Sequence, residues 1–316
     1  MNKDTSLAGF SQRNRWFVLV IWLFSISMTF LAGCGTANGQ PGKSSAGVTT
    51  PSASSGNGRS VSLVPQPTFP PTATPALRPT LVSGNAPAVL GPGSTLPTEA
   101  QCAARVKDSS FEPRPENYQA NHRVPTAQQI AALAPWGPAM GQSSQADSLR
   151  RQITGNFTGT TDEILQWVAC KWGVDPDLVR AEAVVESYWR QSNEGDSTTD
   201  QSLCPPGTWN GQSCYQSYGI LQIKYTYFQS AWPMSRDDTA FNAEYVYGII
   251  RACYEGWTTY LNSDTPLPGY PRYHAGDIWG CLGRWFSGGW YDQGAIDYIK
   301  NVQAAMADKT WLQAGF

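Results

Sequence analysis

Apolar residues recur at helical spacing in several stretches of this chain, and strict alternation is scarce. Thr161 to Cys170 opens on a capping-type residue and places Ile164, Leu165 and Val168 on one side. A second helix is predicted from Asp175-Pro176, an N-cap followed by proline in the first turn, with Leu178, Ala181, Val185 and Trp189 as its stripe. A long helix is predicted from about Asp237 to Leu261. Ser235 to Asp238 there resembles a capping box, and Phe241, Tyr245, Gly248, Ala252 and Gly256 fall near one face. The small residues on that face would let another helix approach closely. A last helix runs from about Ala295 to Asp308 on Ile296, Ile299 and Val302, and a short one fits Thr126 to Leu133. The fold class expected is mainly α, with room for one small β-hairpin.

Upstream the pattern changes. Lys3, Arg13 and Arg15 precede an apolar run, Trp16 to Leu31, that is short and serine-interrupted for a membrane span. It closes on Leu31-Ala32-Gly33-Cys34, which resembles a bacterial lipobox. The expectation is a lipoprotein signal peptide over 1–33, lipid on Cys34 and an extracytoplasmic, membrane-anchored protein; a plain secretory signal is the alternative. Residues 34–100 are rich in Ser, Thr, Pro and Gly and bury too little surface to offset ordering, so they read as a disordered linker. As a flexible coil it would span on the order of 45 Å. Residues 101–146 are mixed and read as an arm wrapped on the globular domain, which is assigned to 147–316.

Composition narrows the class. Of 316 residues 15% are charged and 12% aromatic, and the formal charge is −2, so no nucleic-acid partner is expected. Without Cys34, six cysteines remain, which in an exported chain suggests disulfides. Cys204 and Cys214 bracket a Pro-Gly turn and are the first pair expected, a loop closure contributing roughly 3 kcal/mol. The pairing of Cys102, Cys170, Cys253 and Cys281 stays open, with Cys102–Cys170 and Cys253–Cys281 preferred by elimination. His122 and His274 show no ligand spacing to the cysteines, so no metal site is expected.

Two pieces carry the candidate chemistry. Glu186 lies one turn beyond Glu182, beside Val185, Tyr188 and Trp189, where desolvation would raise its pKa. Arg190 at i+4 offers the plainer reading, a surface ion pair worth a few tenths of a kcal/mol. Ser217-Tyr218-Gly219-Ile220-Leu221-Gln222-Ile223 adds a glycine and a glutamine that can both donate and accept. Glu194, Asp196 and Asp200, in the loop between the two pieces, either solvate it or supply a second carboxylate.

Glu186-Ser187 together with Ser217 to Ile223 resembles the goose-type lysozyme and soluble lytic transglycosylase superfamily, over roughly Asp162 to Val302. The resemblance implies a lysozyme-like helical domain with any hairpin at the cleft. It implies Glu186 as the catalytic acid, and Ser187, Ser217, Tyr218, Gly219, Gln222, Tyr225 and Trp285 as substrate-binding. Trp285 stands where the family has a tyrosine that orients the catalytic carboxyl; Tyr218, Tyr225 or Tyr227 would have to supply that hydroxyl. Glu182 is expected to support the helix or pair with an arginine. The implied reaction is cleavage of the β-1,4 bond between N-acetylmuramic acid and N-acetylglucosamine in peptidoglycan. No cofactor is implied, and a monomer is expected. With one motif-supported carboxylate, the expected route is non-hydrolytic, giving 1,6-anhydromuramic ends. A water-using muramidase and an inactive wall-binding lipoprotein are the alternatives.

Overall fold

The computed structural model describes residues 87–137 and 141–316. Cys34, the signal segment and the linker up to residue 86 lie outside them.

Helix α1 (Glu99–Ala103) opens the described helices, followed by α2 (Tyr118–Asn121), α3 (Ala127–Ala131) and α4 (Ala146–Arg150). The longer helices begin with α5 (Thr161–Trp172). Thr160 and Glu163 form its capping box, and Gly173 ends it in the left-handed region. Next comes α6 (Pro176–Ser187), where the Asp175 side chain accepts from the Asp177 N–H. It stops at Ser187, because Tyr188 (φ 56°) and Trp189 (φ 62°) are left-handed. Trp189 is therefore buried beyond the helix end, not on its stripe.

After the short α7 (Met234–Asp237), helix α8 (Thr239–Tyr254) starts at Asp238, which accepts from the Phe241 N–H. It is shorter than the sequence predicts, and all 16 of its residues are buried. Its charges are accordingly paired: Glu244 with Lys171, and Arg251 with Glu255. At Gly248 a Cβ would meet Trp136 at 2.8 Å and Trp172 at 3.1 Å, so what approaches there is a pair of indoles. Helices α9 (Ile278–Ser287) and α10 (Gln293–Asp308) finish the bundle; α10 packs on α6 and α9, and α5 on α8 and α6.

A three-stranded antiparallel sheet stands where the sequence allows a hairpin: β1 (Glu194–Gly195), β2 (Ser217–Tyr218) and β3 (Ile223–Lys224), in that order. Gly195 pairs with Ser217 and Ser217 with Lys224, making one cross-strand row; Glu194, Tyr218 and Ile223 make the next. Successive strand residues face opposite sides, so the two rows look in opposite directions.

The expected boundaries shift at the front. Order reaches back past residue 100, because the buried Arg251 guanidinium donates to the Leu90 and Gly91 carbonyls, and the Leu90 N–H donates to the Gly173 carbonyl. The arm is tied down along its length: Cys102 is bonded to Cys170, and Trp136 is fully buried. Cys204–Cys214 and Cys253–Cys281 are the other disulfides. Among the described residues no helix is long and apolar enough to cross a membrane, and no group of metal-ligating side chains occurs.

Candidate active site

Glu186 sits in the last turn of α6, half-buried, at a cleft of about 880 Å³. One wall is the first row of the sheet, Gly195, Ser217 and Lys224, with Asp196, Gln222 and Tyr227. The other is the end of α9, with Arg284, Trp285 and Phe286. Val185 lies beside Glu186 on the floor.

The Glu186 carboxyl is held by a residue that no sequence motif marks. Tyr298 Oη, from α10, donates to Glu186 Oε1 at 2.6 Å and lies 3.3 Å from Glu182 Oε1. Phe286 stacks on the Tyr298 ring, 4.8 Å between centroids and 8° between planes, which walls it off from the cleft. Burial raises the Glu186 pKa to about 7; the charge of Asp196 adds to this, and the Tyr298 hydrogen bond opposes it. Glu182, fully buried one turn back, is raised further, to about 8, again mainly by burial. Its neighbours are Tyr247 and Tyr298 rather than an arginine. Tyr298 is a buried polar tip spaced with Ala295, Val302 and Ala305 along α10, and that spacing is the signal by which the sequence could have exposed it.

Asp196 has the opposite environment. Burial pushes it up, but Ser217 Oγ donating at 2.6 Å and Lys224 Nζ at 3.1 Å outweigh that and hold it below the usual carboxylate value. One cleft thus holds a carboxyl raised to about 7 and another held below the usual carboxylate value. Glu194 faces away, into a polar groove with Glu116 and Arg236, as its place in the second row requires. Asp200 turns back on its own loop through Ser202.

The other expected site residues divide. Ser217, Gln222 and Trp285 line the cleft, Trp285 stacked on Phe228 at 5.7 Å. Both donors of the Gln222 amide are engaged, by the carbonyls of Gly219 at 2.7 Å and Asn193 at 3.2 Å, which leaves Oε1 as its free acceptor. Ser187, Tyr218, Gly219 and Tyr225 do not line it. Ser187 is buried, and its hydroxyl donates to the Ile220 carbonyl at 2.8 Å, clasping the Glu186 helix to the Gln222 segment. Tyr218 is in the second sheet row, against Trp232, with its hydroxyl on the Tyr215 carbonyl. Gly219 (φ 86°) admits not a sugar but the chain itself: a Cβ would collide with the Asn242 amide and the Ser235 carbonyl. Tyr225 turns toward Trp232. Nor do Glu186 and Arg190 pair, since the helix ends between them; Arg190 lies 3.8 Å from Glu116 instead.

No family model, curated protein or solved structure matches the chain.

Proposed function

We propose that this protein cleaves the β-1,4 glycosidic bond between N-acetylmuramic acid and N-acetylglucosamine in peptidoglycan, with Glu186 as proton donor to the leaving oxygen. The observation that carries the reading is the Glu186 carboxyl, held by Tyr298, opening on a cleft and raised to a pKa of about 7, where a general acid can keep a share of its protons near neutral pH. Aromatic rings on both walls, Trp285, Phe286 and Tyr227, suit the apolar faces of sugar rings. The substrate class comes from the resemblance of Glu186-Ser187 and the Ser217 to Ile223 segment.

The acceptor sets the product. An internal muramyl hydroxyl would need only Glu186, acting as acid and then base, and would leave 1,6-anhydromuramic ends. That route suits a site whose motifs supply a single carboxylate. Asp196 lies in the same cleft and is held below the usual carboxylate value, which supports the hydrolytic alternative, with Asp196 directing water or stabilising positive charge on the sugar. Digestion of purified wall followed by mass spectrometry tests both levels. Glu186→Gln should lower cleavage by about 10²–10⁴-fold or more while unfolding stays cooperative; near-wild-type cleavage would sink the assignment. Reducing-end products lost on Asp196→Asn support hydrolysis, and products one water lighter identify the internal route. We further propose that the enzyme is anchored outside the cytoplasm by lipid on Cys34.

A further inference from the structure

Arg284 is the one cleft-lining cation whose charge no carboxylate meets among the described residues. Lys224, on the opposite wall, is taken by Asp196 at 3.1 Å. The Arg284 guanidinium is nonetheless fixed. Its Nε donates to Tyr260 Oη at 2.7 Å, and that hydroxyl donates its own proton to the Gly288 carbonyl at 2.9 Å. With Nε tied to the protein, the two terminal amino groups make no hydrogen bond among the described residues, and Arg284 lines the cleft together with Trp285 and Phe286. Arg251 shows the contrast: its Nε and both terminal nitrogens are engaged by Glu255 and backbone carbonyls, as suits a structural arginine. A helix C-terminus favours a nearby cation, but Arg284 turns its Nε to Tyr260 and makes no side-chain hydrogen bond to its own helix.

We propose that Arg284 receives a carboxylate carried by the substrate, making this end of the cleft a subsite for a charged sugar substituent. A planar guanidinium presents paired N–H donors that match the two oxygens of a carboxylate. The inference rests on the glycan-cleaving function proposed for this cleft, and names the substituent that this wall selects. In peptidoglycan two sources carry that group: the lactyl carboxylate of a peptide-free muramyl residue, and the carboxylates of the stem peptide.

Calorimetry on the full chain bearing Glu186→Gln separates them. Three probes are used: an N-acetylglucosamine oligomer with no carboxylate, an alternating oligosaccharide with free lactyl groups, and the same oligosaccharide bearing stem peptides. Arg284 should confer a preference for a carboxylated probe over the uncharged one. Adding Arg284→Gln should cut that preference about tenfold or more, since a hydrogen bond to a charged group is worth that much. Arg284→Lys keeps the charge without the fork, and Tyr260→Phe removes the Nε acceptor; each should lose part of the preference. Both remain informative should Arg284→Gln unfold. A preference already present with free lactyl groups names that source, and one that appears only with peptides names the stem. An unaltered preference in all three variants overturns the proposal, as does no preference, or no binding, in the parent protein. Wall cleavage by the wild-type chain is measured alongside. If the wall is cut and the preference ignores Arg284, the subsite fails alone; if the preference follows Arg284 and the wall is not cut, the cleavage reading fails alone.

Discussion

Glu186, Glu182 and Tyr298 form one hydrogen-bonded cluster, of which Glu186 alone opens on the cleft. Tyr298 is fully buried beside the two acids, and burial followed by their charges holds its hydroxyl well above the usual tyrosine value. It therefore stays a donor across the working range, and its bond favours the ionised form of Glu186. Tyr298→Phe removes that influence, so the Glu186 pKa should rise. Because Glu186, as the proposed proton donor, must be protonated, the alkaline limb of the pH–rate profile should move up from about 7 while kcat falls as the carboxyl loses its orientation. A profile that keeps its limb would reduce Tyr298 to a packing role. Glu182 touches no cleft and leaves its mark on stability instead. Its folded pKa of about 8 exceeds the ordinary value of 4.5, so between these values the unfolded chain holds fewer protons than the native one. Stability must then fall as pH rises through that window. Glu182→Gln should flatten this fall, gaining on the wild type progressively from about pH 5 to 8 in thermal melts; parallel curves would contradict the assignment.

At the level of elements, the turn after α6 matters as much as the helix itself. Two bulky residues in succession, Tyr188 and Trp189, are left-handed directly after Glu186-Ser187, a conformation that costs on the order of 1–3 kcal/mol for each. The arm holds it in place. Arg114 Nε donates to the Tyr188 carbonyl and Asn117 Nδ2 to the Trp189 carbonyl, both at 2.7 Å, while Asn117 Oδ1 accepts from the Gln191 N–H at 2.9 Å. Asn117→Ala would strand these buried groups and should cost roughly 2–3 kcal/mol in denaturant unfolding. Because the turn sits at the end of the helix that carries Glu186, wall cleavage should fall with it, measured where the variant is still folded. Loss of stability with full activity would confine the arm to a structural part.

At the scale of the whole molecule, the lipobox-like Leu31-Ala32-Gly33-Cys34 stands far upstream of the residues that form the cleft. The proposed anchor makes a separate forecast that does not depend on the cleft. Cys34→Ala should abolish acylation, and the protein should move from the detergent phase to the aqueous phase in a phase split. A wild-type protein that already partitions into water would overturn the anchor. Cleavage of soluble glycan strands should be unaffected by that change, whereas cleavage of intact envelopes should drop, because tethering supplies a high local concentration at the wall.

Local rules were enough for a good part of this protein. Capping residues and apolar spacing announced α5, α6, α8 and α10, since each rests on interactions within a few residues. The Cys204–Cys214 staple was readable because its ends bracket a short turn. Glu186, Ser217, Gln222 and Trp285 stand in the segments that carry the resemblance, and all four line the cleft. Other assignments needed the third dimension. Sequence neighbours Ser217 and Tyr218 fall on opposite faces of the sheet, and only the register with Gly195 and Lys224 says which face lines the cleft. Ser187 and Gly219 serve the chain's own packing, a distinction set by what lies across from them: Ile220, Asn242 and Ser235. Tyr298 reaches Glu186 across 112 positions, and Asp196 enters the cleft because Ser217 and Lys224 hold it there. A pKa depends on burial and on charges brought near by folding. The sequence therefore marks Glu186, while the tertiary structure decides that the Tyr298 hydroxyl holds it and that Asp196 shares its cleft.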